Sequence, residues 1–118
     1  MANPNIVNVT TIYGNTNVSA LSTTTANVLT NSTASNTVIK INNLIVANYS
    51  NANITTSVVL NRSSTVYYFA GSVVVPANST LVVVGKDTGV YLIEGDVVQA
   101  NVSANSSSTL ITSYEIIS

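Results

Sequence analysis

Charge is what this chain has least of. Lys, Arg, Asp and Glu together make up 6% of 118 residues, against about 25% in an ordinary soluble domain. Three cations, Lys40, Arg62 and Lys86, are too few and too scattered to make the basic patch that nucleic-acid binding needs. Cysteine and histidine are absent. Their absence excludes a disulfide scaffold, a thiol nucleophile, a zinc site of the Cys/His type and a histidine general base. No run approaches the ~18 continuous apolar residues of a membrane helix, so no membrane partner is expected. The opening Met1-Ala2-Asn3-Pro4-Asn5 has neither the basic nor the apolar region of a secretory signal.

Asn, Ser and Thr take the place of charge, with 17, 16 and 16 residues. Low charge with many polar residues can mean disorder, but disorder also requires few β-branched and aromatic residues. Here Val is the commonest residue at 19, joined by ten Ile and six Tyr, and these are strand formers. Nine N-x-S/T triplets begin at Asn8, Asn17, Asn31, Asn48, Asn53, Asn61, Asn78, Asn101 and Asn105. In a chain this rich in the three residue types, chance matches account for them, and glycosylation is not expected.

The apolar period is two nearly everywhere. Ile54, Thr56, Val58 and Leu60 share one face. Val98, Ala100 and Val102 alternate with Gln99, Asn101 and Ser103. In the last strand Leu110, Thr112, Tyr114 and Ile116 alternate with Ile111, Ser113, Glu115 and Ile117, leaving its end apolar on both sides. Thr37–Asn48 begins with Ile39 and Ile41 in phase and continues with Leu44 and Val46 out of phase; a β-bulge at Asn42-Asn43 would reconcile them. Turn chemistry punctuates the strands. Tyr13-Gly14-Asn15 is expected to end the first strand. Asn31–Asn36 and Tyr49–Asn53 read as loops, and Arg62-Ser63-Ser64 as a hairpin turn. Pro76-Ala77-Asn78, Lys86-Asp87-Thr88-Gly89, Glu94-Gly95-Asp96 and Asn105–Ser108 complete the set. Thr23-Thr24-Thr25 could be a strand or an extended arm. No fixed-period repeat is present. The expected fold is all-β: one antiparallel β-sandwich domain over 1–118, jelly-roll-like or Ig-like, with 1–13 as an N-terminal strand or arm.

Sheet edges expose unpaired N–H and C=O groups, which proteins usually guard with Lys, Glu or Pro. This chain has few such guards, and SVVVP and TLVVVG are uncharged, β-branched and adjacent. A net charge of −1 supplies little colloidal repulsion. A subunit covered by neighbours would not need that protection. The expected state is therefore a homo-oligomer, with a trimer as the expected unit. The competing reading is a monomer protected by closed geometry and an Asn/Ser/Thr surface.

Glu94 and Asp96 flank Gly95, with Asp87 one turn earlier. A Ca²⁺ site or a glycosidase pair could be built from them, but the expected reading is a solvated acidic turn, with Glu94-Gly95-Asp96 serving hairpin geometry. Consecutive Tyr67, Tyr68 and Phe69 put Tyr68 on one face and the other two on the opposite one. Such aromatics can stack on sugars or bases, although a core or inter-subunit contact is the expected role. Lys40, inside a strand, would pair across to Glu115. No serine has a histidine to activate it. No catalytic, cofactor-binding or metal-ligating residues are assigned, no cofactor is expected, and the chain is not expected to be an enzyme.

Thr37–Ser50 (TVIKINNLIVANYS) and Val73–Ser118, with IKINNLIVAN, VPANSTLVVVGKD, YLIEGD and the closing SYEIIS, resemble small virion structural proteins of marine tailed phages of the cyanophage type. The resemblance runs from about Tyr13 onward and rests on fold motifs, not catalytic ones. It implies a β-rich subunit present in many copies on a particle, assembled in the host cytoplasm and located in the virion. Its partners would be its own copies and the major capsid or other virion proteins. Capsid decoration or cement is the leading place. The alternative is a neck, tail or fibre accessory that binds host-surface glycan, with Tyr67 or Tyr91 as contacts.

Overall fold

The structure, a computed structural model, describes residues 11–85 and 90–117. Among them there is no helix. Nine strands form: β1 (Ile12–Ala20), β2 (Ala26–Thr30), β3 (Val38–Asn48), β4 (Ile54–Arg62), β5 (Thr65–Val75), β6 (Thr80–Val84), β7 (Val90–Leu92), β8 (Val97–Val102) and β9 (Ser108–Ile117). They make two antiparallel sheets. The first has the order β1-β9-β3-β6, with β7 also on β3; the second has the order β2-β8-β4-β5.

This connectivity follows from one long hairpin. Its tip is the two-residue turn Ser63-Ser64, where both residues have positive φ (52° and 63°); a turn of that handedness matches the twist of the strands it joins. Moving away from the tip, the partners stay nearly symmetric about it: Arg62↔Thr65, Ile54↔Val75, Ile39↔Leu92, Ala26↔Ala100, Ile12↔Ile117. The nested pairs β4·β5, β3·β6 with β7, β2·β8 and β1·β9 then wrap, adding the ladders β9·β3 and β8·β4. The outcome is a jelly roll. Of the two sandwich types expected, the Ig-like one is excluded because its strands are divided differently between the sheets.

The core lies between the sheets and is almost wholly aliphatic: Ile39, Ile41, Leu44 and Val46 of β3, Ile54 and Val58 of β4, Val98, Ala100 and Val102 of β8, and Leu110 of β9. Burying each of the larger aliphatic side chains contributes on the order of 1.5–3 kcal/mol. The expected bulge in β3 is present: its register against β9 shifts between Ile41 and Asn43, so Asn42 is the extra residue. This one insertion lets Ile39, Ile41, Leu44 and Val46 all reach the core despite their change of phase. β5 carries a second irregularity. Gly71 and Ser72 stand opposite the single residue Ser57, Ser72 has φ 52°, and its N–H donates to Ser57 Oγ at 3.0 Å.

Two expectations are corrected. Tyr13-Gly14-Asn15 does not end a strand: β1 runs through it, with Gly14 opposite Glu115 in the β9 ladder. Ladder pairing outweighs the local turn preference of a Gly-Asn pair at an exposed edge. Thr23-Thr24-Thr25 is neither strand nor arm but part of the crossing from β1 in one sheet to β2 in the other. The Lys86–Gly89 turn and residues 1–10 of the N-terminal segment lie outside the described residues; Ile12 and Tyr13 belong to β1.

Inside the sandwich, the hydroxyls of Ser108 and Thr112 on β9 are buried without a hydrogen-bond partner. An orphaned buried hydroxyl costs about 1–3 kcal/mol, and Val has the same shape as Thr without that cost. Thr112→Val is therefore expected to raise unfolding stability by about 1 kcal/mol, read as a higher urea midpoint at unchanged slope.

Candidate functional site

Polar chemistry gathers at the two ends of the roll, where the loops are. At one end the 31–37 and 93–96 loops and the Ser63-Ser64 turn meet. Asn31, buried at the end of β2, organises this end. Its Nδ2 donates to the carbonyls of Thr37 (3.0 Å) and Leu92 (2.8 Å), and its Oδ1 accepts from Ser35 Oγ (2.6 Å) and Thr37 Oγ1 (3.2 Å). Its backbone pairs with Gly95 N–H and Asp96 C=O. Gly95 has φ +89°, which a side chain would strain.

Asp96 lies in the same turn and is 1% exposed. It accepts from Arg62 Nε at 2.9 Å and Nη2 at 2.6 Å, and from the Ile93 N–H at 2.9 Å. The fork-on-carboxylate geometry is the strong form of such a pair. It clamps the β4–β5 turn to the β7–β8 turn. The hydrogen bond to Asp96 raises the pKa of Arg62, against an opposing effect of desolvation. A raised cation contributes stability that is fully present below its unfolded-state value and lost only as pH climbs through the folded one. For an arginine that window lies far above the neutral range, so its charge is constant at neutral pH.

These contacts decide the carboxylate candidates. Glu94 and Asp96 do not converge. Glu94 Oε2 accepts from the Asn36 N–H at 2.6 Å, while both oxygens of Asp96 are already engaged. Glu94 Oε1 is buried and has no partner at the wall of an open cleft of about 430 Å³ beside Arg62 and Ser64. No group of three or more His, Cys, Asp or Glu able to hold a metal occurs among the described residues, and Asp87 lies outside them. Lys40 and Glu115 are direct ladder partners as expected, but no ion pair joins them. Glu115 Oε1 instead accepts from Nδ2 of the bulge residue Asn42 at 2.9 Å.

At the opposite end Asn48, the last residue of β3, does what Asn31 does. Its Nδ2 donates to the carbonyls of Ala52, Val75 and Pro76, and its Oδ1 accepts from the N–H and hydroxyl of Ser50. Asn31 and Asn48 both open N-x-S/T triplets, and both amides are consumed inside the fold.

The broad faces of the sandwich differ from each other. On the outer face of the first sheet, Val18, Ile111, Ile45 and Val82 are successive register partners across β1, β9, β3 and β6. They form one aliphatic stripe over four strands, and its two ends, Val18 and Val82, are 65% and 60% exposed. The outer face of the second sheet carries a groove of about 210 Å³. It is lined by Tyr68 and Val66 of β5, Val59 and Ser57 of β4, and Gln99 and Asn101 of β8. Phe69 packs against the core as expected of an aromatic in this run, whereas Tyr67 and Tyr68 are exposed, and so is Tyr91 on β7.

Sequence reasoning missed the Arg62–Asp96 clamp, both asparagine hubs and the stripe. A lone Arg beside a two-serine turn and a lone Asp after a Gly carry no mutual signal over 34 residues of chain. The outward phase of Ile45 and Ile111 is readable from alternation, but their alignment depends on register. Comparison with protein-family models, with curated proteins and with solved structures gives no match.

Removing Arg62 strands a buried carboxylate. Arg62→Leu is expected to destabilise the fold by about 2–4 kcal/mol, the lower part of that range reflecting the 41% exposure of the arginine side chain. Lys40→Leu, which breaks no ion pair, should stay within about 0.5 kcal/mol. Urea unfolding of both variants at pH 7 measures the contrast, and equal effects would deny the clamp its role.

Proposed function

We propose that this chain is a structural subunit of a virus particle, in the manner of the small virion proteins of tailed phages that its sequence resembles. It acts by covering and joining neighbours through strand-edge and apolar contacts. Capsid decoration or cement is the place that suits a single compact domain. The observation that carries the reading is the aliphatic stripe Val18–Ile111–Ile45–Val82. An uncharged, β-branched row crossing a whole sheet is a surface that a free monomer would be expected to interrupt with charge. Among the described residues, nine of the ten exposed large hydrophobics lie on the strands at sheet edges: Ile12, Tyr13 and Val18 on β1, Val66, Tyr67, Tyr68 and Val74 on β5, Val82 on β6 and Tyr91 on β7. Jelly rolls serve in viral capsids and in lectins alike, so the fold is compatible with the reading without selecting it.

A second reading, a neck, tail or fibre accessory that binds host-surface glycan, is favoured by one feature, the Tyr68 groove on the other sheet.

The purified chain is expected to sediment as a homo-oligomer, with a trimer as the expected unit, and to occur in many equivalent copies on particles. Val82→Glu, at a largely exposed position, should weaken self-association at least about tenfold, in line with a charge placed in an apolar contact, with the thermal midpoint of the dilute subunit unchanged. A stable monomer at high concentration that is missing from purified particles would overturn the proposal.

A further inference from the structure

We infer that the groove on the outer face of the second sheet is a binding site for one ring of a neutral saccharide, with Tyr68 as its stacking platform. The inference gives the glycan reading a site and a ligand class, and it does not depend on how copies assemble. Tyr68 is 68% exposed, yet its ring is not free to wander. It lies over Gly71, where an added Cβ would meet the ring carbon Cδ2 at 3.3 Å. The Gly71-Ser72 bulge thus does two things: it twists β5, and it leaves a side-chain-free strip on which an aromatic ring can rest. An aromatic held this way offers a large apolar surface at low entropic cost.

The polar rim is equally constrained. Gln99 Nε2 donates to Asn27 Oδ1 at 2.9 Å, and Asn101 Nδ2 donates to Thr25 Oγ1 at 2.8 Å. Both amides are thereby oriented, and neither carbonyl oxygen accepts a bond from the described residues. Ser57 Oγ accepts from the Ser72 N–H, so its own proton remains to be donated. Fixed acceptors and one donor beside a flat apolar platform match a ligand with hydroxyls on its rim and C–H bonds on its face. No charged side chain lines the groove, which disfavours acidic sugars and, for want of cations, nucleotides. At about 210 Å³ it is smaller than the ~300–1,000 Å³ pockets of drug-sized ligands, so it admits a single ring and lets a chain run on at either side. The groove faces away from the aliphatic stripe, on the opposite side of the sandwich.

Saturation-transfer NMR and calorimetry of the full chain, with neutral gluco-, galacto- and manno-oligosaccharides as probes, test this. At least one series is expected to bind with Kd on the order of 1 mM or tighter, with no dependence on salt between about 50 and 500 mM. Tyr68→Ala and Gly71→Val should each weaken binding at least about tenfold. Tyr68→Phe, Tyr67→Ala and Tyr91→Ala should retain it, and circular dichroism should show every variant folded. Val82→Glu should bind saccharide as the parent does, which separates this site from the assembly surface. Failure of every series at about 10 mM, a concentration ten times the expected Kd, would overturn the inference. So would binding that survives Tyr68→Ala, or binding that salt abolishes.

Discussion

Every backbone N–H and C=O that a loop leaves unpaired at the end of a sandwich needs a partner, and this chain has almost no charged side chains to provide one. Primary amides meet that constraint. Asn31 and Asn48, one at each end of the roll, are buried, and each reaches a segment far away in sequence through its N–H donors while its oxygen accepts from a serine in its own loop. An amide can do this because it carries two donors and an acceptor with two lone pairs in one plane, and unlike a carboxylate it can be buried without desolvating a charge. Among the described residues, the one buried carboxylate with a full set of donors, Asp96, needs Arg62 to make its burial tolerable. The Asn, Ser and Thr content is therefore scaffolding for turns as much as it is surface.

With the loops held in this way, the two broad faces are free to differ. The first sheet presents aliphatic side chains in register; the second presents an aromatic ring among oriented amides. Both depend on bulges. The Asn42 insertion keeps the inner face of β3 apolar along its whole length, and so settles which of its residues, Ile45 among them, face outward. The Gly71-Ser72 bulge opens the strip under Tyr68. In each case a local break in the ladder re-aims side chains at small energetic cost, and the character of a whole face follows from one extra residue.

Much of the strand pattern is legible in the sequence alone. Alternation in β8 and β9, the change of phase at Asn42-Asn43, the Ser63-Ser64 hairpin and the loops after β2 and β3 all rest on interactions within a few residues, where period-two patterning and turn chemistry act. Local turn chemistry misleads at Gly14, where turn-forming residues lie within a strand because β9 supplies a partner for them. No local signal links Arg62 with Asp96, which meet only when the β4–β5 and β7–β8 turns are brought to one end of the roll.

The sequence by itself determined that the molecule is all-β, that its core is aliphatic, that its polar groups are amides and hydroxyls, and where the strands break, since each of these is a matter of residue type and short-range period. Only the tertiary structure decided that the sandwich is a jelly roll, that Val18, Ile111, Ile45 and Val82 fall into one row, and that Tyr68 rests on Gly71 beside Gln99 and Asn101. Register and wrapping are set by the pairing of strands as far apart in sequence as Ile12 and Ile117, and no local pattern encodes which residue of one strand will stand opposite which residue of another.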